Sequence, residues 1–208
     1  MAPRELAPLS GVILCGGQSR RMGRDKAELE LGGERMLDRV LSEVASVCSE
    51  VLLACGPHER YKNRGLRLVL DGCADGGPLA GIVAALETAR EERALVVACD
   101  MPRVCRDLFL ALAHRAAREE LDVCWFESER GVEPLCAVYS RRCVPVMRAA
   151  FASGKRRVTS FVDDSLQVGT LNEGELGREL RGADCALNLN TRLEFDVERQ
   201  GWGQGDNQ

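Results

Sequence analysis

Aromatic side chains are scarce: Phe, Trp and Tyr make up 4% of the 208 residues. A core on this chain must therefore be built mainly from Leu, Val and Ala. Histidine is nearly absent, and His58 and His114 lie far apart in sequence. None of the 10 cysteines forms a Cys-x-x-Cys pair, so a zinc site is not expected. No apolar run approaches the ~20 residues of a membrane span. The opening stretch, Met1 to Ser10, is too short and too polar to read as a signal peptide. No membrane partner is therefore expected. Positive charge is not in excess either: 28 Lys and Arg against 32 Asp and Glu leave a net charge of -4. Long nucleic acids usually need a broad basic face, so none is expected as a partner.

What is present fits one globular domain over residues 1–208, with 201–208 as a fraying polar tail. Cys15, Cys55, Cys99 and Cys124 sit inside apolar runs, where free cysteine acts as a small core residue. That usage suits a reducing compartment without disulfides, and a cytoplasmic location is expected.

The chain is organised around the stretch from Leu14 to Lys26. A short apolar run, Val12 to Cys15, reads as a buried strand and passes directly into a glycine-rich loop. Glycines let backbone approach a ligand closely, and successive free amides make an anion-binding concavity. Arg20, Arg21, Arg24 and Lys26 add four positive charges within seven residues. A solvated basic turn is the plain alternative. Against it stands the position: α/β folds place phosphate loops after the first strand. The loop is neither Gly-x4-Gly-Lys-Ser/Thr nor Gly-x-Gly-x-x-Gly.

Further on, Leu37, Val40, Leu41, Val44, Val47 and Cys48 recur at helical spacing. Val51 to Cys55 and Leu66 to Leu70 read as the second and third strands; the polar stretch Glu59 to Arg64 between them carries no pattern. The third strand ends on Asp71 and meets a second glycine-rich loop, with a helix expected over Leu79 to Arg90 behind Pro78. Ala94 to Cys99 is apolar throughout, as suits a central parallel strand, and ends on Asp100. A carboxylate there is a natural Mg²⁺ ligand when phosphates are near. Asp is equally a favoured helix cap, and the local sequence leaves both roles open.

A helix is expected over Val104 to Ala117 and strands over Val123 to Phe126 and Leu135 to Tyr139. The polar stretch Glu127 to Glu133 reads as exposed, with Pro134 at the mouth of the following strand. Val144 to Ala152 reads as a helix, followed by a second basic cluster, Lys155, Arg156 and Arg157. That cluster reads as a solvated helix start, or as a landing place for a second anion. Gln167 to Asp184 is weakly patterned, Ala186 to Thr191 reads as a late strand, and Thr191 suits the cap of a last helix through Val197. Alternating strands and helices predict a three-layer α/β/α domain with a mainly parallel sheet.

These residues carry a resemblance. Leu-x-Gly-Gly-x-Ser-x-Arg-Met-Gly-x-Asp-Lys is matched from Leu14 to Lys26 without a gap, and resembles the signature loop of the molybdenum cofactor guanylyltransferases, the MobA family. Gly77-Pro78-Leu79-Ala80-Gly81, Cys99-Asp100-Met101-Pro102, Pro134 to Tyr139 and Asn188 to Thr191 resemble later motifs of that family, in the same order. The resemblance implies a Rossmann-like nucleotidyltransferase fold. It implies transfer of GMP from GTP to molybdopterin, or to its molybdenum-loaded form, with release of pyrophosphate and dependence on Mg²⁺. GTP contacts carry over to Leu14, Cys15, Gly16, Lys26, Asp71 and Asp100. Lys26 and Arg21 would neutralise phosphates, and Asp100 would hold the metal. Asn188, Asn190, Arg156 and Arg157 are candidates for the acceptor's phosphate.

Where the family often has Asn after its second strand, this chain has Cys55, so that contact would fall to a backbone group. Partners implied are GTP, molybdopterin and molybdoenzyme-maturation proteins. Relatives that use CTP, or a sugar or alditol phosphate, are the rival reading. The Gly16-Gly17 pair and Asp25-Lys26 favour the guanylyl branch. A non-catalytic GTP-binding regulator is the second rival; the presence of both Lys26 and Asp100 argues against it.

Overall fold

A computed structural model of the chain describes residues 6–16, 25–73, 76–176 and 185–202. Its frame is a seven-stranded sheet: β1 (Ser10–Leu14), β4 (Glu50–Ala54), β5 (Arg67–Val69), β6 (Arg93–Ala98), β7 (Val123–Ser128), β8 (Gly131–Ser140) and β9 (Val168–Asn172). The strand order is β5-β4-β1-β6-β8-β7-β9. β1 pairs in parallel with β4 and β6, as do β4 with β5 and β7 with β9; β8 alone runs antiparallel to both its neighbours. The mainly parallel sheet expected from the strand–helix alternation is what forms.

Side chains on a strand alternate between faces, and β1 uses both. Ile13 packs into one core with Leu37, Val40 and Val44 of α1 (Met36–Ala45) and with Phe109 of α3 (Arg106–Arg118). Val12 and Leu14 pack into the other with Leu79 and Ile82 of α2 (Gly77–Thr88) and Met147 of α4 (Val144–Ala152). This is why β1 and β6 read as continuous apolar runs: both faces are covered. Aliphatic side chains dominate the two cores, as the scarcity of aromatics required. Pro78 lies in the first turn of α2, as expected. Among the described residues no helix is long and apolar enough to cross a membrane.

Several readings are corrected. Glu127 to Glu133 is not an exposed loop. β7 continues to Ser128, β8 begins at Gly131, and only Glu129 and Arg130 at the turn are fully exposed. Pro134 stands inside β8, not at its mouth. It is tolerated because the register breaks there: Trp125 pairs with Ala137, but Phe126 pairs with Glu133. Pro has no ladder donor to lose at a bulge. Ala186 to Thr191 is not a strand. It is a strap that crosses the carboxyl end of the sheet and buries Leu189 against Leu31, Met36 and Phe195. The true late strand is β9, half-buried at the sheet edge, where alternation is weak because only one neighbour pairs with it. A small hairpin, β2 (Glu30–Leu31) with β3 (Glu34–Arg35), carried no readable pattern.

The last helix, α5 (Arg192–Trp202), runs past Val197 and takes in Gly201, the first residue of the expected tail. Thr191 caps it: its hydroxyl accepts from the Glu194 N–H at 3.2 Å, while the Glu194 carboxylate accepts from the Asn190 and Thr191 N–H groups at 2.7 Å.

The bulge in β8 is held by Tyr139, whose side chain is fully buried. Its hydroxyl donates to the Pro134 carbonyl at 2.7 Å and accepts from Trp125 Nε1 at 2.9 Å. Tyr139→Phe strands both partners in the core. Denaturant unfolding is expected to show a loss of about 1–3 kcal/mol; unchanged stability would mean that the bulge is held by strand pairing alone.

Candidate active site

Three parallel strands end together, and the candidate residues follow from them. β1 and β6 are joined at their carboxyl ends by the Cys99 N–H, which donates to the Leu14 carbonyl at 3.1 Å. Beyond that bond Asp100 leaves β6. It does not cap α3, whose N-cap is Cys105. Of the two roles left open for Asp100, the cap is therefore excluded.

Lys26 is delivered from the other side. A 3-10 turn, Lys26–Glu28, starts after Asp25, whose carboxylate accepts from the Ala27 N–H at 3.2 Å. The same carboxylate takes the Tyr61 hydroxyl at 2.6 Å and an ion pair with Arg60, which pins the turn to the segment after β4. Lys26 Nζ then lies 2.8 Å from Asp100 Oδ2 and 3.1 Å from Asn190 Oδ1. Both partners of the ion pair are largely buried, at 16% side-chain exposure each. A charge pair this far from water loses little to screening. Asn190 arrives on the strap, which is tied down by the Leu189 N–H donating to the Asp100 carbonyl at 2.9 Å.

Leu14, Cys15 and Gly16 lie at the end of β1, but two of their amides are already committed. The Cys15 and Gly16 N–H groups both donate to the Ala54 carbonyl, at 3.0 and 2.9 Å. The expected cradle of free amides is thus not found at Cys15 and Gly16. The carbonyls of this stretch are engaged too: that of Leu14 by the Cys99 N–H at 3.1 Å and that of Cys15 by Arg60 at 3.5 Å. Gly16 is dictated by contact: a Cβ there would stand 2.7 Å from the Gly56 backbone nitrogen. The thiols of Cys15 and Cys55 sit 3.7 Å apart in the core. The hydrogen bond shared with Cys55, together with burial, pushes the Cys15 thiol far above its ordinary range. It packs as a neutral core group and not as a nucleophile. Cys55 packs into that core, and its thiol meets the Leu53 and Arg60 carbonyls at 3.5 and 3.7 Å.

Asp71 follows β5. Its N–H donates to the Gly56 carbonyl at 3.2 Å, and its carboxylate accepts from the Cys73 N–H at 3.0 Å. It shares a neighbourhood with Leu14 across Gly81, whose missing Cβ would lie 3.3 Å from Leu14 Cδ2 and 4.0 Å from Asp71 Oδ2. Lys155, Arg156 and Arg157 are exposed and precede a short 3-10 turn at Val158–Phe161, not an α-helix. The Arg156 carbonyl abuts Gly77 at the start of α2, while its guanidinium donates to the Phe151 carbonyl at 2.9 Å. Arg20, Arg21 and Arg24 lie outside the described residues.

Arg60 was missed in the sequence. It stands in a polar stretch without periodicity, and nothing local marks it as the group that bridges the Cys15 carbonyl and Asp25.

The chain is also similar to known proteins. The family MobA-like NTP transferase domain matches residues 11–168. A probable molybdenum cofactor guanylyltransferase of Pelotomaculum thermopropionicum is 40% identical over 183 residues, covering 88% of this chain and 87% of the relative. The molybdenum cofactor guanylyltransferase of Desulfosudis oleivorans is 36% identical over 193 residues, covering 90% and 93%. In three dimensions the chain resembles molybdopterin-guanine dinucleotide biosynthesis protein A from Archaeoglobus fulgidus, with a TM-score of 0.78 at 22% identity, covering 94% of this chain and 99% of that one. That likeness speaks for the fold, while the two sequence relatives speak for the family. By both the family match and its relatives, this chain belongs to the MobA-like NTP transferase family, among the molybdenum cofactor guanylyltransferases.

Proposed function

We propose that the protein transfers GMP from GTP to molybdopterin, or to its molybdenum-loaded form, and releases pyrophosphate. The observation that carries this reading is the contact of Lys26 with Asp100 and Asn190 where β1 and β6 end. A terminal phosphate oxygen of the acceptor attacks the α-phosphorus of GTP. The bond from that phosphorus to the oxygen bridging the β-phosphate breaks, and the electron pair leaves with pyrophosphate. Such transfers need positioning and charge stabilisation more than a protein nucleophile. Lys26 supplies a fixed cation where negative charge grows. Leu14, Cys15, Gly16 and Asp71 line the side of the sheet where the nucleoside would lie, and Arg21 would add charge to the phosphates.

The donors present suit Mg²⁺. The Asp100 carboxylate and the Asn190 amide oxygen converge on one ammonium group, so two hard oxygens stand close together. Among the described residues no three His, Cys, Asp or Glu side chains cluster to hold a metal unaided. That matches an ion which takes one or two carboxylates and completes its shell with phosphate oxygens and water. When bound, Mg²⁺ would neutralise the departing pyrophosphate.

We read the chain as a single nucleotidyltransferase domain working in the cytoplasm and handing its product to molybdoenzyme-maturation proteins. The decisive experiment measures pyrophosphate release from GTP, Mg²⁺ and molybdopterin. Release with GTP and little with CTP is expected; equal rates with both would favour a relative of different base specificity. Lys26→Ala removes a charge-assisted contact, so the Kd for GTP should rise about 10- to 100-fold in calorimetry. An unchanged Kd would remove Lys26 from the nucleotide site.

A further inference from the structure

The antiparallel strand β8 does something the parallel strands cannot. Val97 near the end of β6 pairs with Cys136, so the residues of β8 before Cys136 run past the carboxyl end of β6, on the side where Asp100 leaves that strand. Glu133 sits on this overhang, half-buried, at the register break. One carboxylate oxygen accepts from Asn188 Nδ2 at 3.1 Å. Among the described residues this is its one hydrogen bond, so the other oxygen has no partner. Burial pushes the Glu133 carboxyl up, and the negative charge of Asp100 pushes the same way, against Arg130 and Asn188. A carboxylate placed like this is short of donors.

Glu133 also faces a small cleft shared with Phe126, Ser128, Arg130, Glu173, Ala186 and Leu187. The cleft sets the Glu133 and Glu173 carboxylates and the Arg130 guanidinium against the apolar walls of Phe126, Ala186 and Leu187. Asn188 and Asn190 stand two residues apart on the strap and divide the region. Asn190 holds Lys26, and Asn188 holds Glu133. In the strand order, Leu14, Asp71 and the turn after β4 lie on one side of Asp100, while Glu133 and the cleft lie on the other. In the reaction proposed above the nucleotide takes the first side, which leaves the cleft for the acceptor.

From this juxtaposition of Glu133, Asn188 and the cleft beyond Asp100, we infer that Glu133 binds the pterin ring of the acceptor. Its carboxylate takes the ring's N3–H and 2-amino donors, two parallel N–H groups on one edge. The inference rests on the acceptor being a pterin. Guanine presents the same pair of donors, and the test must separate the two. A bidentate, charge-assisted pairing of this kind discriminates strongly against a ring lacking one donor.

The test uses the full chain and two simple rings, 2-amino-4-oxopteridine and 2,4-dioxopteridine, in which a carbonyl replaces the amino group. The native protein is expected to bind the amino ring at least about tenfold more tightly, and Glu133→Gln to erase that preference. In the transfer assay Glu133→Gln should raise the KM for molybdopterin about 10- to 100-fold, with the Kd for GTP within about twofold of native. No ring preference in the native protein would overturn the inference. So would an unchanged KM, or a Kd for GTP that rises in step with KM, since the carboxylate would then hold guanine. Absence of any transfer by the native protein would instead count against the proposed function, and the ring preference would still decide the role of Glu133.

Discussion

Asp100→Ala is expected to cut the rate of pyrophosphate release by about a hundred- to a thousandfold, the scale of losing one preorganised electrostatic group. Folding should survive. The Asp100 side chain caps no helix, and its link to the strap runs through its backbone carbonyl, which the substitution keeps. Lys26 would retain Asn190 as a partner. Asp100→Asn refines the result, since it keeps the shape and removes the charge. If charge near the departing phosphates is what matters, the asparagine variant should be nearly as slow as the alanine variant. Single-turnover measurement with saturating GTP separates the chemical step from binding. A variant that folds and keeps the native rate would remove Asp100 from the reaction.

Gly16→Ala should be the most damaging conservative change in the loop after β1. The new Cβ would lie 2.7 Å from the Gly56 nitrogen, 3.0 Å from the Cys55 carbonyl carbon and 3.1 Å from the Gly56 Cα. All three are backbone atoms of the neighbouring turn, so no rotamer change relieves the clash. Either the loop lifts off or the turn after β4 moves. Both break the paired Cys15 and Gly16 N–H bonds to the Ala54 carbonyl. A stability loss of about 1–3 kcal/mol is expected, together with weaker GTP binding. Gly201→Ala is the matched control. Nothing lies within 4 Å of a Cβ there, and the residue is inside α5. It should be neutral or stabilising by about 0.5–1 kcal/mol. Equal effects at the two glycines would show that the close approach at Gly16 is unimportant.

Strand and helix readings held wherever both faces of an element, or one clear stripe, were buried. β1, β6, α1 and α4 are of this kind, with boundaries off by at most a few residues. Readings failed where local pattern and tertiary role part company. The strap 185–191 alternates apolar and polar residues like a strand, but its amides go to Asp100 and Glu194 and not to a neighbouring strand. Residues 127–133 look like a solvent loop because they are polar. Their extended conformation comes from pairing with each other across the Glu129–Arg130 turn.

The alternation of strands and helices was enough by itself to predict an α/β protein, and the run from Leu14 to Lys26 carried the resemblance to the guanylyltransferases, because buried strands and a dense motif leave local traces. Only the tertiary structure could decide which groups meet. Lys26 and Asp100 are 74 residues apart, Lys26 and Asn190 164 apart, and Glu133 and Asn188 55 apart. Contacts at such separations are set by strand order and by how far β8 overhangs β6, and neither leaves any periodicity in the chain for a reader to find.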